Sequence, residues 1–211
     1  MTLRDEEDNQ GEIWVIRFDE DSASRFRRQV QAISAIDSNA VIPIYIDSYG
    51  GNVDSLAKML ETMDEVPNRF VTICMGKAIS CGAVLLSHGD LRFCGRLSRV
   101  MVHNISAQSW GDTYSLKADS DETHRMNIQF MGLLAKNCNL TYSALQEIIK
   151  NSIGSKEIWM NAEAAKKFNI VDEVGIPKAS CRTEWAFEIP PIKPRFNRDK
   201  GTKKKAVKKS K

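Results

Sequence analysis

A run of β-forming residues, Arg69 to Met75, passes within a few positions into an apolar helical run ending at Val84-Leu85-Leu86. The junction carries Ser80, with Gly76 before it and Gly82 after it. Few arrangements satisfy such a stretch, because strand and helix both bury apolar surface only if the helix folds back onto the sheet that the strand joins. The same order occurs twice upstream. Ile13-Trp14-Val15-Ile16-Arg17-Phe18 reads as a buried strand. After the capping turn Asp19-Glu20-Asp21-Ser22, the apolar spacing of Phe26, Val30, Ile33 and Ile36 predicts a helix. Val41 to Asp47 is a second strand, with Pro43 fitting its first part or an edge. A helix follows from Asn52, with Val53, Leu56, Ala57, Leu60 and Met63 on one face, and stops before Pro67. Arg99 to His103 alternates like a further strand. Repeated strand–helix units predict an α/β fold with a largely parallel sheet.

The later part is mainly helical. One long run from Asp112 to Asn137 turns apolar only in its second half, at Met126, Phe130, Leu133 and Leu134, which predicts a helix buried at one end and projecting at the other. A shorter helix from Thr141 carries Leu145, Ile148 and Ile149. Asn161 is placed to cap Ala162 to Phe168, with Asn169 at the C′ position, and Ile170 to Val174 forms a last short strand or turn. Three segments result: a short flexible N-terminus over 1–12, a folded domain over 13–176, and a Pro/Lys-rich disordered tail over 177–211.

Composition narrows the function classes. A chain of 211 residues, 42% hydrophobic, buries a full single core. Its net charge of +3 conceals +9 on residues 193–211 and −6 on the rest. The five cysteines (74, 81, 94, 138 and 181) have no C-x-x-C spacing, which predicts reduced thiols and neither a disulfide framework nor a structural metal. The acidic N-terminus is unlike a signal peptide, and no apolar run approaches the roughly 18 residues of a membrane span, so a soluble cytoplasmic or organelle-matrix protein is expected.

A serine between strand and helix is a place for a nucleophile, which needs a base, an orienter for that base, and backbone donors for the oxyanion. Of His88, His103 and His124, His103 ends a strand, where crevices open in parallel sheets, and is the candidate base. Gly50-Gly51 follows another strand end and could bring a backbone N–H to the same crevice.

These residues resemble a known family. Ile46-Asp47-Ser48-Tyr49-Gly50-Gly51-Asn52-Val53, Gly76-x-Ala78-x-Ser80-x-Gly82-Ala83-x-Leu85-Leu86-x-x-Gly89, Arg99-x-Met101-x-His103 and Met160-Asn161-Ala162-Glu163-Ala164, in that order, are similar to the proteolytic subunit of the Clp protease. The likeness runs from about Ile13 to Val174. It implies a crotonase-like fold of ββα units with a projecting handle helix at 112–137, where two rings meet. It also implies stacked heptameric rings enclosing a chamber in which unfolded polypeptides are cut. By position it makes Ser80 the nucleophile and His103 the general base, with the N–H groups of Gly51 and Cys81 as oxyanion donors. No cofactor is implied in this chain, ATP being used by a separate Clp-type AAA+ ATPase.

The third member departs from the pattern. The family's aspartate position falls on Glu157, whose additional methylene displaces the carboxylate by about 1.5 Å. Glutamate is the orienter in some hydrolase triads, so Glu157 is the expected third residue, with Asp172 as the fallback. Cys81 stands where methionine is usual, and Tyr49 and Ile105 stand where prolines are usual. Acyl-CoA hydratases and isomerases share the crotonase fold but use acidic residues in place of a Ser-His pair, and a Cys81 nucleophile would point away from Ser80's crevice. The rival of another class is a ring scaffold whose lysine tail contacts nucleic acid or an acidic partner.

Overall fold

The structure, a computed structural model, describes residues 12–152 and 156–178. The flexible segment expected at 1–12 and the tail expected at 177–211 lie, but for Glu12, Pro177 and Lys178, outside the described residues.

Strands β1 (Ile13–Val15), β2 (Val41–Ser48), β3 (Arg69–Ile79), β4 (Leu91–Cys94) and β7 (Glu173–Val174) lie side by side in that order, all parallel. Helices α1 (Glu20–Ile36), α2 (Val53–Glu65) and α3 (Cys81–Ser87) make the crossovers. The parallel α/β sheet expected from the repeated units is therefore what the chain forms. Local signals start the helices as anticipated. Asp19 caps α1 through a capping box with Ser22, and the Asn52 side chain accepts the Ser55 N–H to start α2. Pro43 falls in the first part of β2, before its pairing with β1 begins at Ile44.

Two strand expectations need correction. Ile13 to Phe18 is not a continuous buried strand. Only Ile13–Val15 pairs, with Ile13 and Val15 inward and Trp14 stacked outside on Tyr45, and Phe18 rejoins the sheet through a single bridge to Gly51. Strand β3 continues past Met75 to Ile79, and this extension organises the molecule. Its first half pairs with β4, Val71 to Cys74 against Leu91 to Cys94. Its second half leaves β4 and pairs with β5 (Arg99–His103), Lys77 to Ile79 against Arg99 to Met101. Gly76 stands at the fork with φ +97°, where a Cβ would meet the Asp47 carboxylate at 2.8 Å.

Strand β5 also pairs antiparallel with β6 (Glu157–Asn161). Neither β4 nor β6 was expected, since each is short and only partly apolar. The core between sheet and helices includes Phe26, Leu56, Met59, Leu85, Leu86 and Leu134, each fully buried and contributing about 1.5–3 kcal/mol. All seven residues of α3 are buried.

The long helix α4 spans Thr113–Asn137 behind the N-cap Asp112 and is about 37 Å long. Its first half is exposed, and Asn127, Phe130, Met131, Leu134 and Ala135 are buried, as the one-ended apolar pattern predicts. Helix α5 (Tyr142–Asn151) packs beside it, with Leu145 and Ile149 inward. Helix α6 (Ala162–Lys167) follows β6 and ends at Asn169, whose φ of 63° is the left-handed turn expected there.

Candidate active site

Ser80 lies between the end of β3 and the start of α3 with φ 57° and ψ −116°, a conformation that non-glycine residues seldom hold. It is over-determined on both sides. Its N–H donates to the Met101 carbonyl at 2.9 Å, the last rung between β3 and β5, while its own carbonyl accepts from Ala83 and Val84 to begin α3. The buried α3 and the β3–β5 ladder thus force the serine into a sharp elbow, and the side chain stays half-exposed.

The turn after β2 comes against this elbow. Gly50, at φ +93°, has room for no side chain: a Cβ there would lie 2.8 Å from the Ile79 carbonyl, 2.9 Å from the Ser80 Cβ and 3.3 Å from the Cys81 nitrogen. Asn52 N–H donates to the Phe18 carbonyl at 2.8 Å, and Gly50 N–H to the buried Ser48 hydroxyl at 3.1 Å. From the elbow side, the Cys81 thiol donates to the Gly51 carbonyl at 3.3 Å. Burial pushes that thiol's pKa up, opposed by hydrogen bonding with the Gly51 backbone and the Ser80 hydroxyl. The structure therefore brings together Ser80, Cys81 and Gly51.

His103 is half-buried at the end of β5, two residues beyond the carbonyl that receives the Ser80 N–H. Glu157 is its direct partner across the antiparallel β5–β6 ladder, so both side chains leave the same face of the sheet. The Glu157 carboxylate accepts from the Trp159 indole at 2.8 Å, and the hydrogen bonds of the described residues include none between Ser80 and His103 or between His103 and Glu157. The fallback carboxylate is elsewhere. Asp172 accepts from the Arg92 N–H and guanidinium at 2.6–3.0 Å, and Arg92, 8% exposed, also donates to the carbonyls of Asn137 and Asn169. Asp172 is thus a structural ion-pair partner. His88 is paired with Asp64 at 3.0 Å in a groove of about 500 Å³ that Asp172 also lines but that Ser80, His103, Glu157, Gly51 and Cys81 do not, and His124 is exposed on the outer half of α4.

Sequence reasoning missed two sets of neighbours. Lys77 bonds Asp47 at 2.6 Å and stands 4.5 Å over the Tyr49 ring, bracketing the residues that lead into Gly50. Beyond His103, Asn127 of α4 accepts the Ile105 N–H at 2.9 Å and donates to Asn104, which exchanges amide bonds with Gln146 of α5. One signal was available: Asn127 is a polar residue on the buried stripe of α4. Its partners are 22 and 23 residues away, and no spacing rule joins them.

No group of three or more His, Cys, Asp or Glu placed to hold a metal occurs among the described residues, and no described helix is long and apolar enough to cross a membrane.

Comparison with known proteins matches this arrangement to one family. The Clp protease family model matches residues 12–178. The chain is 32% identical over 173 residues to the ATP-dependent Clp protease proteolytic subunit 2 of Frankia casuarinae, covering 81% of this chain and 77% of that protein. It is 33% identical over 158 residues to proteolytic subunit 1 of Streptomyces avermitilis, covering 74% and 70%. It is also 33% identical over 159 residues to proteolytic subunit 3 of Rhodococcus jostii, covering 74% and 76%. The crotonase-like α/β fold, with α4 in the position of the handle, accords with that match, and the chain belongs to the Clp protease family.

Proposed function

We propose that this chain is the proteolytic subunit of a Clp-type serine endopeptidase, with Ser80 as nucleophile, His103 as general base and Glu157 as orienter. The observation that carries the reading is the elbow: a serine held at φ 57° by Met101 on one side and α3 on the other, with His103 at the end of the same β5 strand. His103 takes the Ser80 proton as Oγ attacks a peptide carbonyl, and the N–H groups of Gly51 and Cys81 receive the developing oxyanion. The imidazolium then protonates the departing amine, and water releases the acyl group by the same route. Substrates are unfolded polypeptides. The relatives' names support subunits that work with an ATP-consuming partner, so we infer stacked heptameric rings, joined through α4 and fed by a Clp-type ATPase, with no cofactor in this chain.

A second reading is favoured by one observation, the engagement of Glu157 with Trp159. In it the chain is a catalytically weak or inactive ring scaffold whose basic tail, Lys193 to Lys211, meets an acidic partner or nucleic acid. Fluorophosphonate labelling of the assembled protein separates the two. The peptidase reading expects labelling that Ser80→Ala abolishes and that Glu157→Gln slows by about 10²–10⁴-fold. Wild-type labelling no faster than that of Ser80→Ala would replace it with the scaffold.

A further inference from the structure

We infer that the Cys81 side chain is a positioning strut, holding Gly51 and the elbow at the separation the oxyanion hole needs. The inference rests on the peptidase reading for its catalytic consequence. The turn from Ser48 to Asn52 has three polar anchors: Ser48 Oγ takes the Gly50 N–H, Phe18 O takes the Asn52 N–H, and Cys81 Sγ donates to Gly51 O at 3.3 Å. The first anchor is internal to the turn, and the second ties it to Phe18, in the link between β1 and α1. Among these three, the thiol is the one that spans from turn to elbow. Gly50 and Gly51 have no side chains with which to set that distance, and Gly50 already lies against Ile79 and Ser80.

Cys81 thus combines two tasks on one residue, since its N–H is a proposed oxyanion donor and its thiol grips the residue that supplies the other. Cys81 is 3% exposed, and burial raises the thiol's pKa, which keeps it protonated at neutral pH, the state in which it donates. An S–H group is a weak donor, so its effect is on the geometry of Gly51. This separates the strut from ordinary core packing. A cysteine that serves only as a small buried hydrophobe is replaced better by valine than by serine, because a buried hydroxyl costs free energy. A strut reverses the order, since serine keeps a donor at that position and valine has none.

The test compares the full-length, assembled wild type with Cys81→Ser and Cys81→Val. Hydrogen exchange by mass spectrometry follows the segment 48–53, and kcat and KM are measured for Ser80-dependent hydrolysis of an unstructured fluorogenic peptide. Cys81→Val is expected to speed exchange of that segment about tenfold and lower kcat about tenfold with KM within about twofold. Cys81→Ser, which keeps a donor at that position, is expected to fall between wild type and Cys81→Val in both exchange and kcat. Valine matching wild type in exchange, or serine exchanging as fast as valine, overturns the strut. A wild type without Ser80-dependent hydrolysis overturns the peptidase reading, and the exchange comparison then decides the strut on its own.

Discussion

Replacing Gly50 by alanine tests directly whether the turn and the elbow form one site. The added Cβ would stand 2.9 Å from the Ser80 Cβ and 2.8 Å from the Ile79 carbonyl, where ordinary contact begins at 3.4 Å. Turn and Ser80 must therefore separate by about 0.5 Å, and since a 1 Å misplacement costs about 10²-fold in rate, the proposed activity should fall roughly tenfold from position alone. The backbone adds a second cost. At φ +93° an alanine is strained by about 1–3 kcal/mol, which for a chain of this size lowers the melting temperature by roughly 2–12 °C. Gly82→Ala is the control, because its Cβ would meet Ile46 and Ser48 at an ordinary 3.6 Å and lies within α3, where alanine is the better helix former. Fluorophosphonate labelling rate and thermal unfolding of both variants are the assays. Wild-type labelling by Gly50→Ala, or equal losses in both variants, would refute the claim that the turn sets the position of Ser80.

Two further outcomes follow from the polar contacts. Arg92 holds the Asp172 carboxyl below its ordinary range by hydrogen bonding, so the pair's stabilisation is fully present above the unfolded carboxyl's pKa of about 3.9 and is lost below it, as pH falls through the depressed folded-state pKa. Asp172→Asn should cost about 2–3 kcal/mol in denaturant unfolding at pH 7, with the gap to wild type narrowing below about pH 4; a gap unchanged at low pH would contradict the assignment. Asn127→Leu strips the Ile105 N–H of its acceptor and should cost about 1–3 kcal/mol, with faster amide exchange at residues 104–106; unchanged exchange there would mean that the network does not brace the chain after His103.

Local chemistry made much of this fold legible in advance. The N-caps Asn52, Asp112, Thr141 and Asn161, and the left-handed Asn169, act within a few residues of themselves and are where the sequence puts them. The same holds for the one-ended burial of α4 and the end of β5 at His103. Strands β4 and β6 were not legible, because runs of four and five residues carry little periodicity and their stability comes from the strands beside them. Glu157 could be aligned by its neighbours, but its pairing opposite His103 is a matter of ladder register across more than fifty residues. Asp172 shows the converse: a carboxylate plausible by type is committed to Arg92, eighty residues away, and is removed from the site.

The sequence by itself determined the order of the helices and of the strands at β1, β2, β3 and β5, the elbow with its serine, and the family, since each depends on residue types at short fixed spacings. Tertiary structure decided the rest. The fork of β3 at Gly76 turns one strand from β4 to β5 and so delivers Ser80 to the strand that ends in His103. The closeness of Gly50 to Ser80 and the reach of the Cys81 thiol to Gly51 depend on packing between segments about thirty residues apart. Such contacts form only when the whole sheet is assembled, because it is the burial of α3 and the ladders on both sides of β3 that hold the strained serine in place.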